Sequence, residues 1–290
     1  MMKKKILHND GSDVGLFRRL VHSFTRMTEE RTVSPEDYAE AHGVEVRVEG
    51  LNKYFNKNHV LKDINLQVRP GETFSIIGPS GTGKSVLLKH LVKLQKPDSG
   101  KVLIDGVDLN LPMGVAAEKK FSYSMVFQTS ALFNSLTVGE NVGFWLREKE
   151  IFPEVRIRRI IREKLRLVGL GGKEELQTSE LSGGMKKRVA IARSLAMNPD
   201  LILYDEPTAE LDPVTTDELA RVIEDLKSKV NLTTIIVSHD LNFALYLSDR
   251  VAMMHDGKIV EVGTPEEIKK SENPIIRNFI YTTTKGLKGD

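Results

Sequence analysis

Apolar and polar positions change period several times along the chain, and each change marks an element. Val44, Val46 and Val48 alternate with polar residues, which predicts a half-buried strand, and Leu51-Asn52-Lys53-Tyr54-Phe55 follows it. A second strand is expected over about residues 59–68, closed by the turn Arg69-Pro70-Gly71-Glu72. Thr73-Phe74-Ser75-Ile76-Ile77 is an unbroken apolar run, read as a fully buried strand, and a helical pattern runs from Val86 to Leu94. Another strand is expected over 101–106. Phe121 to Phe127 forms one more, ending at Gln128. Thr137-Val138-Gly139-Glu140 has capping-box spacing ahead of Val142, Trp145 and Leu146, and Pro153 is expected to break that helix. The next helix sets Arg156, Arg158, Arg159, Arg162 and Arg166 around Val155, Ile160, Ile161 and Leu165, a solvated face in the simplest reading and a docking surface in the sharper one. A helical insert is therefore expected over about 129–195.

Two further buried strands end in polar residues: Leu201 to Tyr204 leads into Asp205 and Glu206, and Thr233 to Ser238 leads into His239. Val251 to Met254 and Lys258 to Val262 flank His255-Asp256-Gly257 as a hairpin. Strands alternating with helices predict an α/β fold around a mostly parallel sheet, in which ligands sit beyond the carboxyl ends of the strands. Gln128, Asp205, Glu206 and His239 all fall at such ends.

The amino-terminal residues 1–43 are polar and mixed. Leu16, Phe17, Leu20, Val21 and Phe24 share one face of a short basic helix, expected to pack on its own domain or to form a loosely ordered tail rather than to touch a membrane surface or a partner, and Ser34-Pro35 reads as a helix start.

Gly78-Pro79-Ser80-Gly81-Thr82-Gly83-Lys84-Ser85, between a strand and a helix, fits the phosphate-binding loop G-x-x-x-x-G-K-[ST]. Glycines let successive N–H groups turn inward onto phosphate oxygens, and the helix N-terminus adds its dipole. Lys84 is expected at the β- and γ-phosphates, with the Ser85 hydroxyl on Mg²⁺. Asp205 is expected to hold Mg²⁺, Glu206 to orient or deprotonate the attacking water, Gln128 to contact Mg²⁺ and that water, and His239 to bond the γ-phosphate. Leu181-Ser182-Gly183-Gly184 supplies a second anion-binding helix start. One loop makes one triphosphate site, so the second grip is expected to serve the nucleotide of another copy.

Composition sets the remaining bounds. With 290 residues, 28% charged and 40% hydrophobic, the chain suits one large domain or two small ones. The net charge of +2 gives no argument for nucleic acid. The absence of cysteine excludes disulfides and thiolate metal sites. No apolar run reaches membrane-spanning length. The start Met1-Met2-Lys3-Lys4-Lys5 lacks the apolar run of a signal peptide, so a cytoplasmic location is expected.

Taken in order, these motifs resemble the ATP-binding subunit of an ABC transporter. Tyr54 matches the aromatic that stacks on adenine, residues 78–85 Walker A and Gln128 the glutamine loop. Leu181-Ser182-Gly183-Gly184-Met185 matches the signature, Leu201 to Glu206 Walker B, Leu211-Asp212 the D-loop and His239 the switch histidine. The resemblance covers about residues 44–265 and implies a P-loop NTPase with a RecA-like core, an antiparallel β subdomain and a helical subdomain carrying the signature. It leaves 1–43 as an extension and 266–290 as a tail. It also implies ATP and Mg²⁺ as cofactors, a homodimer closed by ATP, with Asp212 near the nucleotide, and an integral membrane permease as partner at the cytoplasmic face of the inner membrane.

Gly81 to Lys89, Met185-Lys186-Lys187-Arg188 and Asn273 to Phe279 are similar to the Mla/Mce-type ATPases of phospholipid trafficking. That branch adds a lipid-binding substrate protein and a small accessory subunit as expected partners. A solute importer cassette and a soluble single-cassette assembly factor are the alternatives. Glu210 departs from the small residue usual before Leu211-Asp212. Leu132, Phe133 and Leu136 are the expected permease contact, with filling of the helical core as the alternative.

Overall fold

The computed structural model describes residues 42–110, 121–150 and 152–285. The expected helices at Leu16 to Phe24 and from Ser34 lie outside the described residues.

Two sheets organise the chain. The first is antiparallel, in the order β2 (Asn58–Val68), β1 (Val46–Phe55), β4 (Ser99–Ile104), β5 (Val107–Asp108). The strand begun at Val46 continues through Tyr54 and Phe55, with register shifts beyond Val48. The second sheet has six strands, in the order β10 (Lys258–Gly263), β9 (Arg250–His255), β3 (Thr73–Ile77), β8 (Thr233–Ser238), β7 (Leu201–Asp205), β6 (Tyr123–Val126). All neighbours in it are parallel except the hairpin β9–β10. Every residue of β3, β7 and β8 is buried, the pattern of parallel strands covered on both faces.

Register places the site. Ile77 pairs with Ser238, Asp205 with Val237, and Val126 with Tyr204. The carboxyl ends of β3, β8, β7 and β6 therefore line up along one edge of the sheet, and the phosphate loop, His239, Glu206 and Gln128 all start there.

The phosphate loop feeds helix α1 (Lys84–Leu91), which starts two residues earlier than the apolar pattern suggests. Its Leu87, Leu88 and Leu91 share one core with β1, β2 and the central strands. Helix α2 (Val138–Glu148) opens on the expected capping box: the Thr137 hydroxyl accepts from Glu140 N and the Glu140 carboxylate accepts from Thr137 N. It stops at Glu148, and Pro153 stands instead at the N-cap of α3 (Glu154–Leu167). The five arginines of α3 are exposed, while Ile157, Ile160, Ile161 and Leu165 face α2 and α4 (Gly183–Leu195). Gly183 and Gly184, expected to precede that helix, form its first turn. Helices α5 (Pro213–Lys229) and α6 (Leu241–Leu247) follow β7 and β8. After α7 (Pro265–Lys270), α8 (Pro274–Lys285) packs Ile276 and Phe279 into a third cluster with Ile77, Leu241, Leu245 and Met253.

One expectation is corrected. Leu132, Phe133 and Leu136 are buried, the latter two in the core that also holds Phe144. The Asn141 side chain bonds the backbone of Phe133 and Leu136 and seals that turn from below. These side chains fill the interior and offer no surface to a permease.

Candidate nucleotide site

The phosphate loop is shaped by close approaches. A Cβ on Gly78 would lie 2.1 Å from the Met254 carbonyl, so only glycine fits beside β9. Gly83, at φ 101°, is the N-cap of α1 and carries no side chain to cap it. Thr137, Ser182, Asp212, Asp240 and Thr264 cap α2, α4, α5, α6 and α7 with side-chain oxygens. The amides that open α1 are thus left for an outside anion, and a Cβ on Gly81 would meet nothing within 4 Å. These features fit a polyphosphate.

Lys84 is 5% exposed, and its Nζ donates to the carbonyls of Gly78 (2.7 Å) and Pro79 (3.1 Å). Burial lowers its proton affinity, and the charge of Glu206, 3.6 Å away, pulls it back. The Ser85 hydroxyl donates to Asp205 Oδ1 at 2.8 Å. Burial raises the Asp205 pKa above the ordinary carboxylate value, the Ser85 bond opposes this, and the neighbouring Glu206 charge adds to it. A hydroxyl beside one carboxylate is a hard-oxygen pair suited to Mg²⁺, which takes few protein ligands and completes its shell with phosphate and water. Among the described residues no group of three or more His, Cys, Asp and Glu gathers to hold a metal by itself.

Glu206 bridges the two halves of the site. Its φ of 48° is left-handed, a costly conformation for a non-glycine residue, and its N–H donates to Val237 O. That turn points the carboxylate along the strand ends. Oε1 faces Lys84, while Oε2 accepts from His239 N at 3.1 Å and lies 2.7 Å from His239 Nδ1. A carboxylate next to an imidazole and a buried ammonium can take a proton from water at an adjoining phosphate.

Lys84, Ser85, Asp205, Glu206 and His239 thus come together. Gln128 follows β6 and is exposed, and among the described residues no hydrogen bond joins its amide to Ser85, Asp205 or Glu206. Tyr54 lies on β1, 47% exposed, with its ring stacked on His59 at 3.9 Å and 12° between planes. The periodic reading gave no sign of His59, because the pair meets across a hairpin. Ser182, Gly183, Gly184 and Asp212 form a second group. Ser182 Oγ accepts from Met185 N, Asp212 accepts from Thr215 N and Oγ1, and a Cβ on Gly184 would lie 2.3 Å from Thr215 Cγ2. The starts of α4 and α5 therefore sit side by side. No hydrogen bond or ion pair among the described residues ties this group to residues 78–85.

The profile of the ABC transporter family matches residues 61–209, which include the phosphate loop, the signature and the strand ending at Asp205. The chain belongs to the ABC transporter family. Over 239 residues it is 40% identical to the probable ribonucleotide transport ATP-binding protein mkl of Mycobacterium leprae, covering 82% of this chain and 69% of that one. Over 228 residues it is 38% identical to the intermembrane phospholipid transport system ATP-binding protein MlaF of Haemophilus influenzae, covering 78% and 86%. Its structure matches the dimeric, post-hydrolysis form of the ATP-binding cassette MJ0796 bound to ADP and Pi, with TM-score 0.67 and 32% identity over 76% of this chain and 98% of that one. This is the α/β P-loop fold of ABC ATPases, and the chain is an ATP-binding, ATP-hydrolysing transporter subunit.

Arg193 escaped the sequence reading, and Lys187 entered it only as part of the run Met185-Lys186-Lys187-Arg188, with no contact of its own assigned. Lys187 is 5% exposed and its Nζ donates to the Gln128 carbonyl; Arg193 is 2% exposed and donates to the carbonyls of Ser130 and Ala131. Burial lowers the Lys187 pKa, opposed by the charges of Glu210 and Asp205. Cations on α4 offered one available sign, since Lys187 and Arg193 interrupt its apolar positions.

Proposed function

We propose that this subunit drives phospholipid movement between membranes through a separate, membrane-spanning permease, working as an ATP-closed homodimer at the cytoplasmic face of the inner membrane. The observation that carries the lipid reading is the similarity to the phospholipid-transport ATPase, which extends over 86% of that protein. The run Met185-Lys186-Lys187-Arg188 and the stretch to Phe279 support it. No described helix is long and apolar enough to cross a membrane, and the permease is proposed as a separate chain. A lipid-binding substrate protein and a small accessory subunit complete the proposed assembly.

In this reading the loop amides and Lys84 bind the β- and γ-phosphates of ATP, and Tyr54 stacks on adenine. Ser85, Asp205 and Gln128 would hold Mg²⁺, which neutralises phosphate charge when bound. Glu206 takes the proton of the water whose oxygen bonds the γ-phosphorus as the bond to the bridging oxygen of ADP breaks. His239 holds the Glu206 carboxylate in place and reaches the γ-phosphate. In a composite site Ser182–Gly184 and Asp212 close on the nucleotide of a second copy, a reading supported by the likeness to a dimeric ATP-binding cassette.

A solute importer is the second reading, favoured by the ribonucleotide-transport relative. Purifying the subunit with its permease and extracting the complex separates the two. Phospholipid in the extract, with ATP-dependent lipid movement in liposomes, supports the first. ATPase activity stimulated by a small polar solute and its binding protein, with no lipid bound or moved, supports the second.

A further inference from the structure

We propose that α4 is a rigid link between the two ATP sites of the dimer, and that Lys187 is the positioning residue that makes the connection. The inference rests on the composite site proposed above. At its start α4 presents Ser182, the residue assigned to the partner's nucleotide. Five residues on, roughly 7–8 Å along the helix axis, Lys187 holds the carbonyl of Gln128, which serves the chain's own site. No flexible segment separates the two grips.

The glutamine loop is built to follow the helix. Ser130 and Ala131 have φ of 65° and 45°, two consecutive left-handed residues without a glycine. Such a turn persists only when its surroundings hold it. Arg193 does so, donating to Ser130 O at 2.9 Å and to Ala131 O at 2.8 Å, both buried bonds. Arg193 thus fixes the loop at Ser130 and Ala131, and Lys187 holds it at Gln128.

The residue type at 187 is informative. Among the described residues no ion pair joins Lys187 to a carboxylate, although the charges of Glu210 and Asp205 act on it from farther away, and its Nζ donates to the backbone carbonyl of Gln128. A buried ammonium carries a desolvation cost that an unbranched apolar side chain such as methionine, one atom shorter, would avoid. The structure keeps the charge at the contact with Gln128. A shift of Ser182 on closing over one nucleotide therefore moves the glutamine that serves the other.

The test uses the full chain in its ATP-competent form. Lys187→Met should keep its folding and its affinity for a fluorescent ATP analogue, lose about tenfold in kcat and bring the Hill coefficient for ATP hydrolysis from above unity to unity. Lys187→Arg should restore both. Wild-type kcat and cooperativity in Lys187→Met, a wild-type Hill coefficient of unity, or a joint loss of melting temperature, affinity and rate that arginine does not rescue would each overturn the link. Failure of Glu206→Gln to dimerise with ATP would instead remove the composite site beneath it, so the two failures are told apart.

Discussion

Glu206 and His239 lie 2.7 Å apart, Oε2 to Nδ1, at the ends of neighbouring parallel strands. The backbone N–H of His239 donates to the same oxygen, so one carboxylate oxygen is fixed and the other faces Lys84. Glu206→Gln keeps the shape but cannot take a proton, and we expect turnover to fall by about 10²- to 10⁴-fold with ATP affinity retained. His239→Ala should lower kcat with a smaller change in affinity. Steady-state ATPase kinetics beside nucleotide titration check both.

Lys84 and Tyr54 should separate in a binding experiment. Lys84→Ala removes the buried ammonium at the phosphates, and binding should fall below detection. Tyr54→Ala removes a partly exposed ring, and the loss should be roughly 1–3 kcal/mol, the value of base stacking on an aromatic. Equal losses by calorimetry would contradict the assigned roles.

Asp205 gives a pH signature. Burial raises its pKa in the folded state, so its folded form binds the proton more tightly than the unfolded chain does. Its contribution to stability is full below the unfolded carboxylate pKa and is lost as pH rises through the raised value. Asp205→Asn does not titrate. Nucleotide-free Asp205→Asn should therefore melt higher than wild type at neutral pH, with the difference shrinking on acidification. Melting curves from pH 3 to 8, roughly the span around a carboxylate pKa, check the sign.

Leu136 is fully buried, and Leu136→Ala should destabilise the isolated chain by about 2–5 kcal/mol in a denaturant titration. A surface residue awaiting a permease would show almost no change.

The sheet and the nucleotide machinery were legible because their residue types are tied to backbone geometry. Fully apolar runs such as Thr73–Ile77 mark strands buried on both faces, and polar residues just beyond them fall at the ligand edge. Thr137 and Glu140 announced their helix through cap chemistry. Other features depend on contacts between distant positions. Arg193 reaches back 62 residues to Ala131, and Lys187 reaches back 59 to Gln128; no local period encodes either. The short apolar set Leu132, Phe133 and Leu136 in a turn carries no period that distinguishes interior from surface. Its burial follows from Asn141, whose amide satisfies the turn's backbone.

The central claim is that two copies close over ATP, with Ser182–Gly184 of each completing the site of the other. Light scattering coupled to size exclusion on Glu206→Gln, with and without ATP and Mg²⁺, tests it most directly. We predict a monomer without nucleotide and a dimer of twice the 32.5 kDa chain mass with ATP, abolished when Ser182→Arg is added. A Glu206→Gln protein that stays monomeric with saturating ATP bound, or a dimer indifferent to Ser182→Arg, would contradict the account.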